Sequence, residues 1–132
     1  LVVGLGIDLV EISRVSRLLL AWGDRFLVRI LRAEEVGRLP PPGDGRDEAV
    51  AFAVAAKEAA SKALGTGWSR GVYWRDVEVD LAARAVLLHG GAGVAARGRG
   101  SDGRCRLHLE RRGELALGEL WLLSAEAPSP GP

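Results

Sequence analysis

Apolar and polar positions along this chain change rhythm several times, and each change marks an element. Residues 1–7 are apolar apart from Gly4 and Gly6, the pattern of a buried strand, and the run ends near Asp8. From Ile12 the apolar positions take helical spacing. Ile12, Val15, Leu18, Leu19 and Trp22 share a face, and Gly23-Asp24 closes the helix. Residues 26–31 and 33–39 predict two short helices, and the Pro- and Gly-rich residues 40–45 a loop. Asp47 then stands where an N-cap belongs, before an Ala-rich helix over 48–64 that ends at Gly65.

Beyond that helix the period falls to two. Residues 74–81 alternate (Val77, Val79 and Leu81 against Glu78 and Asp80), predicting a half-buried strand, and 86–89 a second. Residues 92–97 suggest a weak helix. Residues 104–111 alternate Cys105, Leu107 and Leu109 against Arg106, His108 and Glu110. With a last strand over 115–123 and the turn Arg112-Gly113-Glu114 between, they predict an antiparallel hairpin. Helices come early and strands late, which favours an α+β fold with a mainly antiparallel sheet and a long Ala-rich central helix. We expect one domain over 1–124 and a disordered Pro-rich tail over 125–132.

Composition narrows the classes. A net charge of +1 offers no general footprint for nucleic acid. No apolar run is long enough to span a membrane, and the N-terminus does not read as a leader. Cys105 is the one cysteine, which excludes a disulfide within the chain and a multi-cysteine zinc site. A free thiol suits a reducing compartment such as the cytoplasm, or a core position.

The long helix carries the candidate chemistry. On a wheel of about 100° per residue, Phe52, Ala56, Ala59, Ala60, Ala63 and Leu64 form an apolar face. Glu58, Ser61, Lys62 and Gly65 fall on the other side. The plain reading is a solvated Glu58–Lys62 pair at i, i+4. Asp8, at a strand end, reads equally as a turn residue opening the next helix, and Glu11 as a first-turn acid.

A resemblance joins these residues. Gly4-Leu5-Gly6-Ile7-Asp8-Leu9-Val10-Glu11 resembles the opening G-x-G-x-D-[IVL]-x-E of holo-acyl-carrier-protein synthases. Ala55-Ala56-Lys57-Glu58-Ala59 with Ser61-Lys62-Ala63-Leu64-Gly65-Thr66-Gly67 is similar to that family's central F-A-A-K-E-A-x-x-K-A-x-G-T-G. Arg25-Phe26, Arg29-Ile30-Leu31 and Asp76-Val77-Glu78-Val79 match two further segments, in family order. The resemblance implies a 4′-phosphopantetheinyl transferase-like fold and a reaction. A 4′-phosphopantetheine group would move from coenzyme A to a serine of an apo acyl carrier protein, releasing 3′,5′-ADP. It implies Asp8 and Glu58 as ligands of Mg²⁺, with Mn²⁺ tolerated, and Glu58, Lys62 and Asp8 as catalytic residues. Lys62, Ser61, Gly65 and Thr66 would hold coenzyme A. Arg14 and, after a one-residue offset, Arg25 would meet the acidic carrier, joined by Arg17, which lies near Arg14 on the same helix, and the chain would assemble as a homotrimer in the cytoplasm.

The chain departs from the family pattern in three places. Ala53-Val54 stand where the family has Arg-Phe, and that arginine helps bind substrate phosphate. Ala83-Arg84-Ala85 replace a Gly-Lys/Arg-Pro turn, and residues 105–110 lack a late histidine and hydroxyls. These departures frame the alternative: a weakened or inactive relative that binds a carrier protein or a nucleotide.

Overall fold

In the computed structural model, residues 1–126 are described, and the tail residues 127–132 lie outside them. The chain begins with strand β1 (Val2–Glu11), followed by helices α1 (Ile12–Trp22), α2 (Asp24–Ile30), α3 (Ala33–Gly37) and α4 (Asp44–Leu64). A 3₁₀ turn (Trp74–Asp76) leads into β2 (Val77–Asp80) and β3 (Ala85–Leu88). Helix α5 (Gly90–Gly98), β4 (Cys105–Arg112) and β5 (Leu115–Leu123) complete the order. One antiparallel sheet runs β1-β5-β4, and β2 pairs with β3 in a separate two-stranded ribbon. The α+β architecture expected from the element order is the one observed.

Helix α4 lies on one face of the larger sheet, and glycines set how close it comes. A Cβ on Gly4 would collide with the Ala63 carbonyl oxygen, and one on Gly6 with that of Ala59. On β5, a Cβ on Gly118 would sit 2.7 Å from the Ala55 carbonyl carbon. Ala55, Ala59 and Ala63 are spaced four apart, so they form one stripe of the helix. That stripe rests on three positions of the sheet that carry no side chain. Gly4, Gly6 and Asp8 alternate onto the same face of β1. Asp8 is therefore the first of that row with a side chain, and its register partner is Gly118. Backbone contact between helix and strand is what carries Asp8 to the side of α4.

The core forms two clusters along α4. One gathers Ile12, Val15, Leu27, Ile30, Val50 and Ala51 from α1, α2 and the start of α4. The other gathers Ala59, Ala60, Val77, Val79, Ala92, Leu120 and Leu122 beneath its second half. Both ends of the chain's described part are tied down. The Ser124 N–H donates to the Leu1 carbonyl at 2.7 Å, the Ala125 N–H donates to the Gly100 carbonyl at 2.9 Å, and Arg104 pairs with Glu126 at 2.6 Å.

Several expectations need correction. The strand over 1–7 is not buried on both faces: it runs on to Glu11, and Leu5 (53%), Ile7 (46%) and Leu9 (54%) stand exposed. The reason is packing, since α4 covers one face only, the one that carries Gly4 and Gly6. The long helix starts at Asp44 with Gly43 as its N-cap, so Asp47 lies inside the first turn. There the Asp47 carboxylate accepts the Ser16 hydroxyl at 2.7 Å, joining α4 to α1. The strand expected from residue 74 begins at Val77. Residues 74–76 coil instead, with the Asp76 carboxylate accepting the Tyr73 N–H at 2.9 Å.

Candidate active site

A cleft of about 790 Å³ opens between β1 and α4 on one side and α1, α2 and the 3₁₀ turn on the other. Asp8, Glu58 and Lys62 line one wall, and Phe26, Arg29, Ile30 and Trp74 the other, with Arg14 and Glu11 alongside. The two carboxylates and the lysine thus meet, although fifty residues of chain separate Asp8 from Glu58.

Lys62 does not pair with Glu58, as an isolated helix would have it. Its ammonium donates to Asp8 Oδ1 at 2.9 Å and to the Ile7 carbonyl at 3.0 Å. Two of its three protons are used, and the side chain is 51% exposed. Among the described residues, none hydrogen-bonds the Glu58 carboxylate. The site therefore presents one free carboxylate, one carboxylate with an unused oxygen, and an ammonium with a proton to give.

Of the other expected site residues, Arg14 lines this cleft, while Arg17 does not. Arg25 lines a neighbouring groove of about 640 Å³ with Trp22 and Val28, and its guanidinium lies over the Trp22 ring, 5.7 Å from the centroid. Leu18, Phe26 and Arg29 line both spaces, so groove and cleft share one wall. Ser61 is 1% exposed, and its hydroxyl donates to the Glu58 carbonyl at 2.8 Å. The wheel placed it beside Lys62 on the open side; the fold buries it. Gly65 is the left-handed C-cap of α4 (φ 76°), and its N–H bonds the Lys62 carbonyl. The Thr66 hydroxyl donates to the Gly67 carbonyl at 2.9 Å. Neither Gly65 nor Thr66 lines the cleft.

Sequence reasoning passed over Lys57. It is fully buried, and its ammonium donates to Glu35 Oε1 (3.0 Å), to the Trp74 carbonyl (3.1 Å) and to the Val77 carbonyl. Burial holds the Lys57 ammonium below its ordinary pKa, and Glu35 opposes that shift. Its one sequence signal is its place on the stripe Ala53, Ala60, Leu64, where every neighbour is buried. Elsewhere His89 and the thiol serve structure. His89 lies 2.9 Å from Glu78 Oε1, and the hydrogen bond it gives holds that carboxyl below its ordinary value. Burial pushes the Cys105 thiol up to about 11, which argues against a nucleophilic role. Solvent-facing His108 lies on β4.

The family model for the 4′-phosphopantetheinyl transferase superfamily matches residues 4–105. This chain belongs to that superfamily. The chain is similar to the holo-[acyl-carrier-protein] synthase of Alkalilimnicola ehrlichii, 45% identical over 106 residues, covering 78% of this chain and 83% of the relative. Its fold matches the crystal structure of holo-[acyl-carrier-protein] synthase from Neisseria meningitidis with a TM-score of 0.80, at 27% identity over 94% of this chain and all of the other. The Bacillus anthracis holo-(acyl-carrier-protein) synthase, solved in complex with CoA (3′,5′-ADP), matches with a TM-score of 0.72 and 31% identity over 94% and 98% of the two chains.

Proposed function

We propose that the cleft performs the reaction of these relatives, transfer of 4′-phosphopantetheine from coenzyme A to a serine of an apo acyl carrier protein. The observation that carries the reading is the meeting of Asp8, Glu58 and Lys62 in one solvent-open cleft. The serine oxygen attacks the phosphorus that bears the pantetheine arm. A new P–O bond forms to the carrier, and the P–O bond to 3′,5′-ADP breaks. Glu58, with no hydrogen-bond partner among the described residues, takes the serine proton. The third proton of Lys62 is free to hold a phosphate oxygen as charge grows on it. Asp8 fixes the Lys62 ammonium in that position.

The donor set fits Mg²⁺. Among the described residues no three acids, histidines or cysteines converge on a point, so the protein alone builds no full metal shell. Mg²⁺ is commonly held by one or two carboxylates together with substrate phosphates and water. Asp8 and Glu58 would hold it, and it would neutralise the diphosphate and polarise the phosphoryl group. Mn²⁺ takes the same oxygen ligands.

The carrier's approach is supported by the groove. Arg14, Arg17 and Arg25 project from α1 and α2, and the groove that Arg25 lines shares a wall with the cleft. An acidic helix lying there would bring its serine beside Glu58. Within the coenzyme set, Lys62 has the clearest support. Gly65 and Thr66 stand just beyond it, at the end of α4, and Ser61 acts through the Glu58 backbone. Assembly is supported by the outer face of the larger sheet. Leu5 and Trp121 pair across it, as do Leu9 and Leu117, with Ile7 between, and no element of the described chain covers them. A homotrimer would bury this face. No helix among the described residues is long and apolar enough to cross a membrane, and the free thiol of Cys105 suits the cytoplasm.

The departures from the family pattern do not empty the cleft. Ala53 is 4% exposed and lines a separate cavity of about 80 Å³ with Glu35 and Arg38. The test is to mix the chain with coenzyme A, Mg²⁺ and an apo carrier protein and weigh the carrier. A phosphopantetheine mass gain is expected; no gain on any of several carriers refutes the reading. Sedimentation of the parent and of Ile7→Lys tests the trimer, which the variant should dissociate.

A further inference from the structure

The Lys57–Glu35 pair is the one fully enclosed ion pair among the described residues, and the transfer reaction does not use it. Lys57 cannot serve as a phosphate ligand. All three of its protons are taken, by Glu35, Trp74 and Val77, and none of the side chain is exposed. Glu35 is equally engaged: Oε1 also accepts the Arg32 N–H at 2.8 Å, and Oε2 accepts the Val79 N–H at 2.9 Å. Two apolar side chains of similar size could hold the same elements together without the cost of desolvating two charges. What they could not supply is direction for the backbone groups of Arg32, Trp74, Val77 and Val79.

Those backbone groups lead to the far wall of the cleft. Trp74, whose carbonyl Lys57 holds, lines the cleft and stacks on Trp68, with ring centroids 4.2 Å apart and planes at 21°. Arg32, whose N–H Glu35 holds, stands two residues past the end of α2, which contributes Phe26, Arg29 and Ile30 to that wall. Lys57 is also the neighbour of Glu58 on α4. One buried pair thus ties the helix that carries Glu58 to both parts of the wall opposite it.

We propose that Lys57 and Glu35 are positioning residues for the transferase reaction, fixing the Trp74 and α2 wall at the distance from Glu58 that coenzyme A requires. This rests on the transferase reading of the cleft. The wall touches bound substrate rather than the reacting atoms, so its loss should weaken binding and leave the chemical step largely intact.

The experiment is the double substitution Lys57→Met with Glu35→Met, which removes both charges and keeps the volume. Three properties are measured: melting, coenzyme A binding by calorimetry with kcat alongside, and the far-ultraviolet exciton couplet of the stacked Trp68–Trp74 pair. Trp74→Phe supplies the spectrum without the couplet. The expected double variant melts cooperatively, binds coenzyme A about tenfold more weakly with kcat within about threefold of the parent, and shows a weakened couplet. A folded double variant that lacks either the binding loss or the couplet change overturns the proposal. So does a fall in kcat of about a hundredfold at unchanged affinity, which would mean that the pair sets the position of Glu58 and not of the wall. Failure to melt cooperatively overturns it too, by making the pair a requirement for folding. If the parent itself transfers nothing, the transferase reading fails, while binding and couplet still read the wall.

Discussion

Two lysine–carboxylate pairs sit five residues apart on α4, with nearly the same geometry and opposite uses. Lys62 and Asp8 meet at 2.9 Å, Lys57 and Glu35 at 3.0 Å. The Lys62 side chain is half in solvent, and none of the Lys57 side chain is. In the open pair each partner keeps an atom free, so a phosphate or a cation can join it. In the closed pair every ammonium proton is spoken for, so the pair holds its neighbours and admits no ligand. The lesson is that distance does not tell a pair that can take a ligand from one that cannot. Spare hydrogen-bonding capacity and contact with water do.

Substitutions on either side of this contrast can break it or sharpen it. Glu58→Gln should have the largest effect on turnover, a fall of about 10²–10³ in kcat, with melting unchanged because the carboxylate has no partner to lose among the described residues. A kinetic assay beside a thermal melt checks this. Lys57→Met should have the largest effect on stability. It strands the Glu35 carboxylate in the core, and breaking a buried pair this way costs about 3–5 kcal/mol, measurable by urea denaturation. Lys62→Met on the open pair should cost under about 1 kcal/mol in the same experiment while transfer drops. Equal destabilisation by the two lysine substitutions would erase the distinction between the open and the closed pair.

The smallest effect expected is with acid, at a third cluster. The His89 hydrogen bond, with help from Arg38 and Arg32, holds the Glu78 carboxyl below its ordinary pKa against burial, which pulls the other way. A carboxyl depressed on folding stabilises the protein above its unfolded pKa, and that contribution is lost as pH falls through the folded one. Stability should therefore drop below about pH 4, and Glu78→Gln should flatten that drop. An unaltered acid profile in the variant would show that other groups govern it.

Much of the fold could be read along the chain. The bounds of α1 and β5 agree with their hydrophobic spacing, and the β4–β5 hairpin turns at Gly113 as its glycine suggests. Local pattern suffices there because each element buries one regular face. It fails where a distant partner intervenes. The 3₁₀ turn at Trp74 replaces a strand, with its carbonyl held by Lys57, and the open face of β1 depends on which face of the sheet α4 covers.

The site divides in the same way. Asp8, Glu58 and Lys62 stand inside motifs, so sequence alone singled out the side chains on which the proposed reaction rests. It also determined the glycines that let helix and strand touch. The tertiary structure decided their partners: Lys62 turned to Asp8 rather than to Glu58 one turn away, Ser61 was buried, and Arg29 and Trp74 became the opposite wall. It also made Lys57 a core residue, in the middle of a sequence run that reads as one charged motif with Glu58. The physical reason is that a residue's type fixes what bonds it can make, while burial and long-range packing fix which of those bonds water leaves to it.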